Sequence, residues 1–207
     1  MMNARTRLYL IRHGQVANHA AGVYNGHNDV ALSGLGMSQM ESVAEMLKEE
    51  KLAAVYSSDL LRSRSGGEAV AWIHGLELRR DPALRELDFG LWAGLTFAEI
   101  EERYPGALEA RSRDLVHYRP PGGESVDDLR RRVLPAVHAA IAAHGDSSIA
   151  MVLHGGVNRV ILADAMGLDG TNLYTIDQDY GCLNIIDYYR DLAVIKLING
   201  GTGIGNW

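Results

Sequence analysis

An apolar run that stops abruptly at a histidine occurs twice in this chain. Leu8-Tyr9-Leu10-Ile11 leads into Arg12-His13-Gly14, and Met151-Val152-Leu153 leads into His154-Gly155-Gly156. Short aliphatic runs closed by glycine turns read as buried strands, and strands buried on both faces belong to parallel sheets covered by helices. Open α/β sheets bind their ligands at the carboxyl edge, where such strands end. Two strands that each deliver a histidine to that edge therefore predict a site in which the two imidazoles face each other.

The rest of the chain fits one α/β domain. Segments 7–11, 53–57, 148–153 and 182–188 are rich in β-branched and aliphatic residues and alternate with stretches at helical period, the pattern of a doubly wound sheet. Residues 33–50 read as a helix: Ser33 is a candidate N-cap, and Met37, Met40, Val43, Ala44 and Leu47 recur at three- and four-residue spacing. Thr96-Phe97-Ala98-Glu99 reads as a capping box, with Pro105-Gly106 ending that helix near Tyr104. A longer amphipathic helix follows Gly123-Glu124-Ser125, and Pro135 is expected to kink or split it. Stretch 105–123 is the least regular and reads as a surface connection or lid. Gly200 to Gly205 matches a dinucleotide fingerprint in letters only, with no room for the helix that must follow, and reads as a flexible tail.

Composition narrows the function classes. With 207 residues, 47% of them hydrophobic, the chain can bury a core of ordinary size. Its formal charge of −6 argues against a nucleic-acid or anionic-membrane surface. The apolar stretch after Arg5 and Arg7 is too short for a signal-peptide core or a membrane span, which predicts an unexported, cytoplasmic protein. Cys182 is the only cysteine, so neither an internal disulfide nor a thiolate metal cluster can form. No metal site and no cofactor are expected.

Phosphoryl transfer through a histidine needs a neutral imidazole, cations to neutralise the phosphoryl oxygens, and an acid for the leaving alkoxide. Arg12 adjoins His13, and Arg62 follows strand 53–56 in Ser57-Ser58-Asp59-Leu60-Leu61-Arg62, so both fall at strand-to-helix transitions on one edge. Guanidinium groups bind phosphate bidentately and disfavour an imidazolium beside them, which would keep His13 nucleophilic. His154 is a candidate donor to the developing charge, and the amide of Gly155 or Gly156 stands at a helix start, where the dipole favours anions. For the acid, Leu84-Arg85-Glu86-Leu87-Asp88-Phe89-Gly90 offers two carboxylates, Glu86 and Asp88, which alternation puts on the same side. Any one of these residues is more often structural than catalytic; their joint occurrence carries the reading. Phe89, Trp92 and Tyr118 are candidates to line a specificity pocket, while His19, His27, His74, His117, His138 and His144 read as surface or supporting residues.

At this point the chain resembles the histidine phosphatase superfamily, in its phosphoglycerate mutase-like branch, over roughly residues 7–190. The carrying pieces are Leu10 to Gln15, Gly26 to Ser33 with Gly36 and Gln39, Tyr56 to Arg62, Leu84 to Thr96, Pro121 to Ser125 and Val152 to Val157. The resemblance implies a three-layer α/β/α sandwich with a mostly parallel central sheet and a phosphohistidine intermediate formed without metal. It also implies His13 as nucleophile, Glu86 as proton donor, and Arg12, Arg62 and His154 as the phosphate pocket, with Gly155 and Gln15 among the substrate-binding positions. The chain departs from the family's usual pattern at Ser63 to Gly67, whose glycine pair is expected to loosen a helix, at Val16, at Asn18 and His19, and at Ala93. These changes spare the five core residues and bear on the pocket rim.

Within the family the chain is similar to α-ribazole phosphatase-like and broad-specificity phosphatase members. It lacks the insertion that helps mutases shield the phosphorylated intermediate from water. The expectation is hydrolysis of a small phosphorylated metabolite, α-ribazole 5′-phosphate being one candidate, by a histidine acid phosphatase-type enzyme whose specificity lies in 97–123. A phosphoglycerate mutase and an idle phospho-ligand-binding relative are the alternatives. No nucleic-acid or membrane partner is expected, and a homodimer is left open.

Overall fold

A computed structural model of the chain describes residues 5–201. The strands are β1 (Thr6–Arg12), β2 (Leu52–Ser57), β3 (Leu78–Arg80), β4 (Ser148–Leu153), β5 (Leu183–Tyr188) and β6 (Ala193–Gly200). Between them run the helices α1 (Gly34–Leu47), α2 (Leu61–Ile73), α3 (Phe97–Arg103), α4 (Ala107–Arg113), α5 (Val126–Ala143) and α6 (Gly155–Ala165). The sheet order is β3-β2-β4-β1-β5-β6, with β3, β2, β4 and β1 mutually parallel, β5 antiparallel to β1, and β6 antiparallel to β5. The central sheet is thus mixed. Among the described residues no helix is long and apolar enough to cross a membrane.

Alternation along the central strands builds the layers. Leu8 and Leu10 of β1 join Ile149, Met151 and Leu153 of β4 under α5 and α6, while Tyr9, Ile11, Ala150 and Val152 pack on α1 and α2. Each such aliphatic, removed entirely from water, contributes about 1.5–3 kcal/mol. That two-sided burial fixes strand register, and with it the points at which β1 and β4 end.

Local signals behave as the sequence predicts at the starts of α1 and α3. The Ser33 hydroxyl accepts from the Gly36 amide, and Thr96 with Glu99 and Ser125 with Asp128 form complete capping boxes. Several expectations are corrected. α5 runs unbroken through Pro135, which lies on the exposed face together with Arg131, so the carbonyl that the proline leaves unpaired faces water. The glycine pair does not loosen α2 but lets it approach its neighbours. A β-carbon on Gly66 would lie 2.4 Å from Met40 Sδ and 3.0 Å from Val152 Cγ1, and one on Gly67 2.8 Å from Leu78 Cδ1. Stretch 105–123 contains α4, which buries none of its residues and so leaves no apolar stripe to read. Gly200 closes β6 rather than opening a tail, and residues 202–205 of the glycine run lie outside the described residues.

Candidate active site

β1 and β4 are adjacent and parallel, with Arg12 paired to Leu153, so His13 and His154 are each the first residue beyond the ladder. Their rings meet edge-on, with centroids 5.2 Å apart. His13 is held at the backbone by an amide that donates to the Leu153 carbonyl and a carbonyl that accepts from Gly181. Its Nδ1 lies 2.7 Å from the Gly14 carbonyl, which can only accept. The ring therefore carries its proton on Nδ1 and leaves Nε2 as the nucleophilic lone pair.

Arg62, in the first turn of α2, is 2% exposed and donates to the carbonyls of Gly26 (2.6 Å) and Asn28 (2.8 Å). Arg12 donates to the Gln178 carbonyl and lies over the Tyr180 ring, 3.9 Å from its centroid. With His13, Glu86 and Tyr180, both guanidiniums line a cavity of about 140 Å³. His154 stands behind His13, its Nε2 2.7 Å from the Ser58 hydroxyl. Burial, reinforced by Arg62 and Arg12, holds the pKa of His13 well below the ordinary histidine value; His154 is depressed by burial, Arg62 and His13. The sequence reading assigned this effect to the arginines, but withdrawal from water is the larger cause.

This charge state has a measurable consequence for stability. Below about pH 6.5 the unfolded chain protonates these histidines while the folded protein does not, so the unfolded state binds more protons. Stability then falls as pH drops below about 6.5 and is level above it, as far as these two groups are concerned. Thermal midpoints recorded between about pH 8 and pH 5 should show this bend, and His154→Gln should flatten it.

Glu86 lies in 85–89, a segment without helix or strand. Its carboxylate accepts from the Leu87 amide (2.9 Å) and from the Gly156 amide at the start of α6 (3.1 Å). A β-carbon on Gly156 would sit 2.5 Å from Glu86 Oε1, so only glycine admits the carboxylate to that helix end. The Gly156 amide, one of two expected to meet the substrate, is thus taken by Glu86. The glutamate also borders a second cavity of about 180 Å³, walled by Leu87, Phe89, Val126, Leu129, Leu173 and Tyr174 and edged by Arg12, Gly155 and Arg159. It stands between a cationic chamber and a largely apolar one.

Not every sequence-predicted residue reaches these cavities. Gln15 and His154 line neither. The Gln15 side-chain oxygen accepts from Ser33 and its backbone amide donates to Gln39, which ties the loop after His13 to α1. His154, fully buried behind His13, is turned to Ser58 rather than to a phosphate. Of the three aromatics expected at the pocket only Phe89 lines it, because Trp92 is fully buried and Tyr118 packs against it in the core. Segment 97–123 supplies no lining residue but reaches the rim, where Phe97 packs on Tyr24 and Arg111 donates to the Tyr174 hydroxyl. Asp88 lines neither cavity and accepts from the Gly90 amide. Ser58, Gln178 and Tyr180 were not singled out; the last two come from an irregular loop that carries no periodic signal. At the departures from the family pattern, Val16 lines the cationic chamber, Asn18 pairs with Asn25, and His19 meets Tyr180 edge-on.

Two histidines and two guanidiniums gathered at the carboxyl edge of an α/β sheet, with a carboxylate across the chamber, define a class of phosphate-handling α/β proteins. The chain belongs to the histidine phosphatase superfamily (branch 1), whose family model matches residues 8–200. It is 35% identical over 196 residues to a bifunctional protein of Mycobacterium tuberculosis, covering 94% of this chain but only 54% of that protein, so it spans about half the relative's length. It is also 35% identical over 173 residues to the glucosyl-3-phosphoglycerate phosphatase of Mycolicibacterium vanbaalenii, covering 80% of this chain and 76% of the relative. Among solved structures, the α-ribazole phosphatase of Shigella flexneri superposes with a TM-score of 0.87 at 26% identity, covering 96% of this chain and 98% of that one.

Proposed function

We propose that the protein hydrolyses the phosphomonoester of a small phosphorylated metabolite through a phosphohistidine at His13, without a metal. The observation that carries this reading is the neutral His13, its Nδ1 proton fixed by Gly14, in one chamber with Arg12, Arg62 and Glu86. Nε2 attacks phosphorus as the ester P–O bond breaks, and Glu86 passes its proton to the departing alkoxide. The Glu86 carboxylate then takes a proton from water as that water attacks phosphorus, which frees His13 and inorganic phosphate. Arg12 and Arg62 neutralise and orient the phosphoryl oxygens throughout, and the buried, uncharged His154 backs the His13 ring. The second cavity, with apolar and aromatic walls and the guanidiniums of Arg12 and Arg159 at its edge, supports an ester whose alcohol carries both an apolar and a polar part, α-ribazole 5′-phosphate being one candidate.

The test is phosphate release from a panel of phosphomonoesters in excess chelator, including α-ribazole 5′-phosphate and 3-phosphoglycerate. Release that survives chelation supports the reading. Isomerisation that depends on a bisphosphorylated primer and yields no inorganic phosphate would replace it with the mutase. Glu86→Gln removes the proton donor while keeping its shape, and turnover of alkyl esters should fall about 10²–10⁴-fold.

A further inference from the structure

The loop that carries Glu86 has no secondary structure of its own, yet one guanidinium from α5 gathers three carbonyls at its start. Arg132 Nη1 donates to the carbonyls of Ala83 (2.8 Å) and Arg85 (3.0 Å), and Nη2 donates to that of Glu86 itself (3.2 Å). The remaining donors form a two-pronged pair with Glu124, from Nε at 2.9 Å and Nη2 at 2.7 Å. Glu124 in turn accepts from the Asp88 amide (3.1 Å), and its own amide donates to the Asp88 carbonyl (2.8 Å). The two side chains are only 22% and 23% exposed. Around them, His27 Nε2 donates to the Glu86 carbonyl (2.8 Å), and Arg85 is held by Asp59 (2.6 Å).

We propose that Arg132 and Glu124 are positioning residues for Glu86, a brace that sets where the proton donor meets the leaving oxygen. An exposed ion pair contributes about 0–1 kcal/mol and constrains little. This pair instead spends every guanidinium donor on carbonyls at 83, 85 and 86 and on Glu124, which grips residue 88. The backbone is thereby pinned on both sides of a carboxylate that must be placed within about 0.5 Å to act. Arg132 lines neither cavity, so it acts only through the loop it holds, whose reacting group is Glu86. The proposal rests on the reading of Glu86 as the proton donor.

Leaving-group dependence tests it. p-Nitrophenolate departs without a proton, whereas an alkoxide needs one, so misplacing the acid should slow only the alkyl ester. Single-turnover phosphoenzyme formation would be followed from p-nitrophenyl phosphate and from the fastest alkyl ester of the panel. Arg132→Met should slow the alkyl ester about 10–100-fold with KM unchanged and the p-nitrophenyl ester less than about threefold. Arg132→Lys, one compact donor in place of a planar fork, should recover part of the rate. Glu86→Gln/Arg132→Met should be no slower than Glu86→Gln alone, because a brace has nothing left to place. Glu124→Gln, nearly isosteric, should give the same leaving-group pattern with a smaller loss and guards against misfolding of the Met variant. Equal losses for both esters, or losses that add in the double variant, would overturn the brace. Should Glu86→Gln itself leave the alkyl ester fast, the proton-donor reading falls and the brace with it; should only Arg132→Met do so, the brace alone falls.

Discussion

His13→Ala should remove phosphate release altogether, a loss on the order of 10⁵–10⁶-fold of the kind seen when a covalent nucleophile is deleted. The size follows from the site's design. Arg12 and Arg62 can still hold a phosphoryl group, but among the described residues no second histidine lines the cationic chamber. His154, the other imidazole, has its Nε2 against Ser58 and stands behind the attacking ring. The fold should survive, because the removed ring is small against a core built from β1, β4 and four helices; circular dichroism and the thermal midpoint check that. Acid-quenched enzyme incubated with labelled ester should carry acid-labile phosphate in the wild type and none in the variant. Turnover close to wild type in His13→Ala would refute the phosphohistidine reading.

Arg62→Met should cost nearly as much, about 10³–10⁵ in kcat/KM, the range associated with a guanidinium that neutralises a transferring phosphoryl group. Here activity and stability should part company. The guanidinium is almost wholly buried in the ligand-free protein, and burial pulls its pKa below the usual arginine value, so the fold carries the charge at a cost. Methionine of similar length relieves that desolvation but strands the carbonyls of Gly26 and Asn28. These effects oppose each other, and the net change in stability should stay within about 2 kcal/mol. Denaturant melts alongside steady-state rates separate the two. A variant that loses stability and activity in proportion would show that Arg62 serves the fold rather than the phosphate.

How much of this could be read in advance depended on whether a residue's partners lie near it in sequence. β1, β4 and α1 were legible because burial writes itself into local periodicity, and the caps at Ser33 and Thr96 because caps act within three residues. β3 escaped notice: a three-residue edge strand, two of them arginine, has no room for alternation. β6 escaped for a different reason, since Val194 and Ile198 face outward and blur the polar-apolar contrast. In the site, His13, His154 and Arg62 were legible because each ends a strand or opens a helix. Tyr180 and Arg132 were not. Arg132 sits third in the run Arg130-Arg131-Arg132, and nothing local separates it from its neighbours, whose partners are Asp169 and Asp127. Its own partners lie 46 to 49 residues away at the loop carbonyls.

The pairing of Arg12 with Leu153 leaves the two imidazole rings one residue beyond a parallel ladder, with centroids 5.2 Å apart, close to the roughly 4.8 Å that hydrogen bonding imposes between neighbouring strands. Their separation is in effect a lattice constant of the sheet. Surface loops can lengthen, shorten or be exchanged without retuning it, whereas the second cavity is built mostly on connections and helix faces. For an engineer this divides the molecule into a fixed reaction head and an interchangeable reader. Libraries restricted to the walls at Leu87, Leu129, Leu173 and Tyr174 should change which ester is chosen while the chemistry at His13 stays in tune.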